Sequence, residues 1–291
     1  LNQDPNGPML MVSQGNTNPG LTKTWEAGEP DKYYPTGKRN YARIIGADDL
    51  QGQAAAQYLG EKIGVKKCAV IDDMVTYGQG LAKAAVAAMP AAGIEVVYQG
   101  SWDMKQTKYT ALFEKIKASG ADCLFLSGDY SSNGGAVVKD AVKVLGSAKD
   151  FTIMGSSGFS GFPDLLALPE AEGIWLTFTG LTQTGIIAKG GAGAKLVEAY
   201  KTKYGHDPLG SWSIQGAAAF QAILAAIAAS DGTRASITDA VFSGKVNIPA
   251  DQSAIGSEIS FDANGDIKDK VVTMTRITSG VEKDIEPWTI H

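Results

Sequence analysis

The chain has 291 residues, 44% of them apolar and 20% charged, with 26 Lys and Arg against 31 Asp and Glu for a net charge of -5. That length points to two domains, the apolar content excludes a disordered chain, and the acidic balance offers no basic patch for nucleic acid. The 35 glycines follow no three-residue period, which excludes a collagen-like repeat and predicts many tight element ends. In chain order, Met9 to Ser13 is a short apolar run between Pro8 and Gly15 and predicts a buried strand, and Tyr41 to Ile45 predicts a second. Asp48 and Asp49 stand at the N-cap of a helix from about Leu50 to Ile63. Strands are predicted at Cys68–Asp72, Ile94–Tyr98, Cys123–Ser127, Phe151–Met154 and Ile174–Phe178, separated by helices to about Met89, from Tyr109 to Ala118 and from Gly134 to Leu145. Strands that are apolar on both faces and alternate with helices predict a doubly wound α/β sheet, parallel and covered on both sides.

Beyond Gly180 the rhythm turns helical, at Ala194–Tyr204, Ile214–Ala229 and Ser236–Phe242, and then β-like at Glu258–Phe261 and Val271–Ile277. Gly216 to Ala229, mostly Ala, falls short of the ~18 apolar residues of a membrane span and is expected to be a buried helix. Residues 65–178 hold enough strand–helix units for one closed lobe. The part before residue 48 supplies only two strands, so strands N-terminal to Leu1 are expected to belong to the fold. The opening Leu1-Asn2-Gln3-Asp4-Pro5 has no initiator Met or leader pattern and reads as a processed or truncated piece.

Catalytic chemistry finds little support. His206, in a Gly-His-Asp-Pro turn, and the terminal His291 are expected to be solvated rather than a general base or metal ligand. Without a third His or a Cys-x-x-Cys, no metal is expected. Cys68 and Cys123 each open an apolar strand and are expected to be buried free thiols on neighbouring strands. Gly190-Gly191-Ala192-Gly193-Ala194-Lys195 lacks P-loop spacing, and Tyr77-Gly78-Gln79-Gly80 lacks the third glycine of a dinucleotide loop, so no cofactor is expected. The loops after the strands instead carry hydroxyls, an amide, phenols and carboxylates: Ser13, Asn16 and Thr17; Asp73 and Tyr77; Ser127, Asp129 and Tyr130; Ser156 and Ser157. Such groups beside helix N-termini at the C-terminal edge of a parallel sheet form a binding site for a carboxylate or other polar group. Taken singly, many of them also serve as caps and turn formers.

These segments, in order, resemble the type I periplasmic solute-binding proteins of the Leu/Ile/Val-binding kind: Ser13-Gln14-Gly15-Asn16-Thr17-Asn18-Pro19-Gly20, Arg43-Ile44-Ile45 with Asp48-Asp49-Leu50-Gln51-Gly52, Ile71-Asp72-Asp73 with Tyr77-Gly78-Gln79-Gly80, Ser127-Gly128-Asp129-Tyr130, Met154-Gly155-Ser156-Ser157-Gly158, and Ile259-Ser260-Phe261-Asp262-Ala263-Asn264-Gly265-Asp266. The resemblance implies two doubly wound lobes joined by a three-crossing hinge, residues 1–47 and 180–268 forming lobe one and residues 48–179 and 269–291 lobe two. It also implies a monomeric, non-catalytic receptor, made with a signal peptide, that closes on a small organic solute in the inter-lobe cleft and delivers it to a membrane ABC permease. Its location would be periplasmic, or extracellular and lipid-anchored.

By the same resemblance, the turn from Ser13 to Thr17 holds the ligand carboxylate through backbone N–H groups and the Thr17 hydroxyl. Tyr77 and Tyr130 line the cleft, and Trp212 walls the pocket. Two departures from the family pattern matter. Ser157 stands where an acidic residue pairs with a ligand ammonium, and Asn16 stands where a small residue is usual. A buried ammonium needs a carboxylate partner, so either Asp129 takes over that role or the solute is a keto, hydroxy or aromatic acid or an amide. The alternative expectations are a sensory ligand-binding domain of the same fold and, last, an NAD-dependent or hydrolytic α/β enzyme.

Overall fold

The computed structural model describes residues 1–290; His291 lies outside the described residues. Two compact units form, one from Leu1–Ala47 and Gly180–Val271 and the other from Asp48–Thr179 and the tail from Val272. The first unit opens with β1 (Met11–Ser13) and β2 (Tyr41–Arg43), a parallel pair with Val12 opposite Ala42. The second unit then runs α1 (Asp48–Gln57), which widens into a π-helical segment over Tyr58–Ile63, β3 (Lys67–Asp72), α2 (Thr76–Ala88), β4 (Glu95–Ser101), α3 (Thr110–Ala118), β5 (Cys123–Ser127), α4 (Gly134–Leu145), β6 (Thr152–Gly155), a short α5 (Pro163–Leu166) and β7 (Trp175–Thr179). The chain returns to the first unit for α6 (Gln183–Lys189), α7 (Gly191–Tyr204), α8 (Gly210–Ala228), α9 (Arg234–Phe242), β8 (Asn247–Ile248) and β9 (Ile259–Ser260). It closes with β10 (Val271–Thr278) and β11 (Val281–Thr289).

The second unit's sheet has the order β11-β10-β7-β6-β5-β3-β4, parallel from β7 to β4 and antiparallel where β10 joins β7. The two-residue period of a strand divides its side chains between two cores. Ala69, Ile71, Leu124 and Leu126 meet Phe113, Ile116, Val137 and Ala141 of α3 and α4 on one face. Cys68, Val70, Cys123 and Phe125 meet Ala54, Leu81, Ala85 and Met89 from the α1–α2 side on the other. The central β5 is buried along its whole length, and the edge strand β11 alternates exposed residues with half-buried ones and, near its end, the buried Trp288. That alternation, with Glu282, Lys283, Asp284 and Glu286 in the strand, is why the sequence showed no apolar run there.

Two expectations are corrected. Cys68 and Cys123 form a disulfide rather than two free thiols, because β3 and β5 are register neighbours and the pair sits directly opposite with Cα atoms 4.4 Å apart. The Gly216–Ala229 segment, expected to be a buried helix, is buried on one face only. Ile214, Ala218, Ala219, Ala222 and Ala226 of α8 enter the first unit's core, while Phe220, Leu224 and Ile227 are exposed. The small residues recur at helical spacing and let α8 lie close to β1, which turns the bulky side chains outward. By length and composition alone α8 is apolar enough to cross a membrane, but its packed face marks a core helix.

Candidate functional site

In the second unit, the C-terminal strand ends are tied together by short polar side chains. Asp73, just past β3, is 2% exposed; it accepts from Val75 N–H at 3.1 Å, Asp129 N–H at 3.0 Å and the Ser132 hydroxyl at 2.9 Å. No cation pairs with it among the described residues. Gly78 has to lack a side chain, since a Cβ there would lie 2.1 Å from Asp73 Oδ1. The Ser127 hydroxyl donates to the Gly78 carbonyl at 2.7 Å, the Ser156 hydroxyl to the Gly128 carbonyl at 2.6 Å, and Tyr130 N–H to the Gly158 carbonyl at 2.9 Å. The loops after β3, β5 and β6 therefore form one stitched rim.

On that rim the structure brings Tyr77 and Ser157 together, with oxygens 3.1 Å apart. Ser157 Oγ donates to Gln51 Oε1 at 3.3 Å, and Gln51 Nε2 donates to Thr177 Oγ1 at 2.7 Å. With the Ser157 proton on Gln51, the Tyr77 phenol donates to Ser157. Ser157, Gln51 and Thr177 are all buried and Tyr77 is half-buried. Burial, followed by the charge of nearby Asp48, pushes the Tyr77 phenol well above its ordinary value and keeps it neutral.

The other two expected residues of this unit face their own surroundings. Tyr130 lies against Phe159 and Phe162, with ring centroids 6.0 and 5.0 Å away, and burial raises its phenol. Asp129 Oδ1 accepts from the N–H of Ser131, at 2.8 Å, and from its hydroxyl, so one carboxylate oxygen is used in capping its own turn.

In the first unit, the loop after β1 is turned by Ser13, whose half-buried hydroxyl accepts from Gly15 N–H at 3.3 Å and Asn16 N–H at 3.0 Å. The Asn16 side chain is exposed, and Thr17 is 6% exposed. Neither the Thr17 hydroxyl nor its backbone N–H has a partner among the described residues. Tyr41 and Arg43 of β2 lie beneath: the Tyr41 hydroxyl donates to the Asn16 carbonyl at 3.0 Å, and Arg43 Nη1 donates to the carbonyls of Asn16 at 3.1 Å and Asn18 at 2.8 Å. Fully buried Arg43 is balanced by Asp266 Oδ1 at 2.6 Å from its Nε. Trp212 is half-buried in the first turn of α8, beside Ser211, whose hydroxyl accepts from Gln183 N–H at 2.8 Å.

Gln51, Thr177, Arg43 and Asp266 were not singled out from the sequence. An arginine inside the apolar run Tyr41–Ile45 was a signal, since a buried guanidinium demands a partner. A cavity of about 360 Å³ in the first unit, lined by Asn6, Pro8, Lys38, Arg39, Thr238 and Phe242, includes none of the expected residues. His206 is exposed, with Nδ1 2.8 Å from the Asp207 carbonyl. Among the described residues no group of three or more His, Cys, Asp or Glu is arranged to hold a metal ion.

Comparison with known proteins agrees with this architecture. The profile of a family described as "Periplasmic binding protein" matches residues 22–280. A Leu/Ile/Val-binding protein homolog of Brucella melitensis is 28% identical over 261 residues, covering 89% of this chain and 64% of its own length. An amino acid binding protein of Pseudomonas aeruginosa is 35% identical over 127 residues, covering 43% of this chain and 30% of its own length. The chain thus spans less than two thirds of these relatives. Among solved structures, a leucine binding protein from Thermotoga maritima superposes with a TM-score of 0.78 at 23% identity, covering 99% of this chain and 75% of that one. An R. palustris ABC-transporter solute-binding protein in complex with 4-hydroxybenzoate gives a TM-score of 0.75 at 19% identity, covering 99% and 73%. These likenesses show a type I periplasmic-binding-protein fold with mostly parallel sheets.

Proposed function

The chain belongs to the periplasmic binding protein family, and from that premise we propose that it is the extracytoplasmic solute receptor of an ABC importer, taking a small carboxylate-bearing organic acid. Its matched family and relatives are binding proteins rather than enzymes. The observation that carries the reading is Thr17: a residue 6% exposed whose hydroxyl and backbone N–H both lack a partner, in the turn after a parallel strand. Polar groups of so buried a residue are usually paired, so two open donors side by side mark a place for an acceptor. In this reading the Ser13–Thr17 turn is the carboxylate subsite. The neutral Tyr77–Ser157 pair sets which acids are accepted, Trp212 and Tyr130 supply apolar walls, and Asn16 adds a polar contact.

Ser157 supplies no negative charge for an ammonium, and Asp129 has one carboxylate oxygen occupied by Ser131. Both features favour a keto, hydroxy or aromatic acid over an α-amino acid. One structural neighbour is described as a leucine binding protein and another was solved with 4-hydroxybenzoate, and these two ligands bracket the options. The partner of the loaded receptor is a membrane permease, and its place is the periplasm or the outer face of the cell membrane. Thr17→Ala and Tyr77→Ala should each weaken acid binding by about 1–3 kcal/mol, the worth of a hydrogen bond to a charged group or of a stripped polar contact. Wild-type affinity in both variants, measured by calorimetry, would remove these residues from the site.

A further inference from the structure

We infer that Arg43 and Tyr41 are positioning residues for the carboxylate subsite, aiming the Thr17 N–H outward by holding the Asn16–Thr17 peptide from behind; this rests on the binding function proposed above. A trans peptide is planar, and its C=O and N–H point in opposite directions. The Asn16–Thr17 bond is trans, the only cis bond among the described residues being Glu29–Pro30. The Asn16 carbonyl faces inward, accepting from both the Tyr41 hydroxyl and Arg43 Nη1. The N–H of Thr17 on the same peptide plane is thereby turned away from the protein interior.

Two donors on one carbonyl, one of them cationic, also polarise that peptide and strengthen its N–H as a donor. Asn18, the next carbonyl on Arg43, precedes Pro19 and so brings no competing N–H. Arg43 in turn is locked. Its Nε is on Asp266 Oδ1, its Nη2 bonds the Thr22 hydroxyl, and that hydroxyl lies 3.0 Å from Asp266 Oδ2. Asp266 is fixed by the turn before it, where the Asp262 carboxylate accepts from Asp266 N–H at 3.0 Å. Gly265 leaves room there for β2: its φ is +90°, and a Cβ would lie 2.5 Å from the Tyr41 carbonyl. A lysine at position 43 could reach Asp266 or one carbonyl but has no planar fork to hold both carbonyls, Thr22 and Asp266 together.

The test compares the acid and primary-amide members of two pairs, L-leucine with L-leucinamide and benzoate with benzamide, titrated calorimetrically into the full chain. Tyr41→Phe removes one bond to Asn16 with nearly unchanged packing, and Arg43→Lys removes the fork. Thr238→Val is the control, removing a hydroxyl bond to the Arg234 carbonyl in the same unit without touching Arg43, Asp266 or the Asn16 and Asn18 carbonyls. Tyr41→Phe should raise the acid Kd about fivefold and Arg43→Lys about tenfold or more, as expected for loss of one neutral and one charge-assisted bond. The amide, whose carbonyl also accepts from the Thr17 N–H but carries no charge, should lose less affinity than the acid, and the Thr238→Val acid Kd should stay within about twofold, a change too small to represent a lost hydrogen bond. If the amide weakens as much as the acid, if Thr238→Val matches Arg43→Lys, or if Tyr41→Phe leaves the acid Kd unchanged, the positioning role is overturned. If the wild type binds none of the four compounds or related acids, the binding function itself fails.

Discussion

Replacing Asp73 by Asn tests whether the second unit's rim is held as described. The carboxylate is 2% exposed and serves three donors: Val75 N–H, Asp129 N–H and the Ser132 hydroxyl. An asparagine keeps one acceptor oxygen but turns an NH2 toward the two donors that share Oδ2. The Ser132 hydroxyl can rotate to accept, whereas the Asp129 N–H cannot, and it is left facing another donor. Losing two bonds to a charged group and stranding one amide gives about 2–4 kcal/mol of destabilisation. With an m-value of about 2 kcal/mol/M, the urea midpoint should fall by roughly 1–2 M with m unchanged. Asp73→Asn should also loosen the Asp129–Tyr130 turn, visible as faster exchange of the Asp129 amide. A midpoint within about 0.2 M of wild type, which at that m-value is well under the worth of one hydrogen bond, would refute the reasoning.

Four further outcomes are expected. Tyr58 is pushed up to about 12 by burial and then by the charge of Glu286, and Tyr77 is raised as well. A raised phenol binds its proton longer in the folded chain than in the unfolded one, so stability is intact below about pH 10 and falls as pH rises from there toward 12. Absorbance at 295 nm should therefore show both tyrosines ionising only with unfolding, and early, reversible ionisation of all ten tyrosines would contradict this. At the start of α9, the Asp231 carboxylate is lowered to about 2 by the Ser236 hydroxyl and then the Thr233 N–H. A depressed pKa means its contribution is present above about pH 4 and lost as pH falls toward 2; an NMR midpoint near 4 would contradict these hydrogen bonds. Gly78→Ala should destabilise by about 1–3 kcal/mol, the range of overpacking, because its Cβ meets Asp73; a melting curve matching wild type would count against it. Thiol titration of the denatured, unreduced chain should find no free thiol, since Cys68 and Cys123 are paired, and two thiols would restore the sequence-based expectation.

Much of the second unit was legible because its strands are apolar on both faces and its helices begin at polar turns. Cys123–Ser127 and Gly134–Leu145 emerge from the run lengths alone. The charged alternation of β11 hides it, and Gln183–Lys189 has too few apolar positions to show a helical period. The cysteine pairing depended on β3 and β5 being adjacent and in register, a tertiary fact that a 55-residue separation conceals. The rim was only partly visible for the same reason. Tyr77 and Thr17 sit at strand ends and could be picked out, but what holds them lies far along the chain: Ser157 is 80 residues from Tyr77, and Asp266 is 223 from Arg43. Gln51 reads locally as a polar position of an ordinary helix, although it is wholly buried between Ser157 and Thr177.

The central claim, that this chain is a receptor for a small carboxylic acid, is tested most directly by a thermal-shift titration across amino, keto, hydroxy and aromatic acids and their amides. A compound that binds the native state at 100 times its Kd adds about 2.7 kcal/mol of stability. At least one acid should raise the melting temperature in a concentration-dependent way, its amide should do so far less, and the acid should be recovered unchanged. No shift from any acid, an equal shift from acid and amide, or conversion of the compound to a product would contradict it.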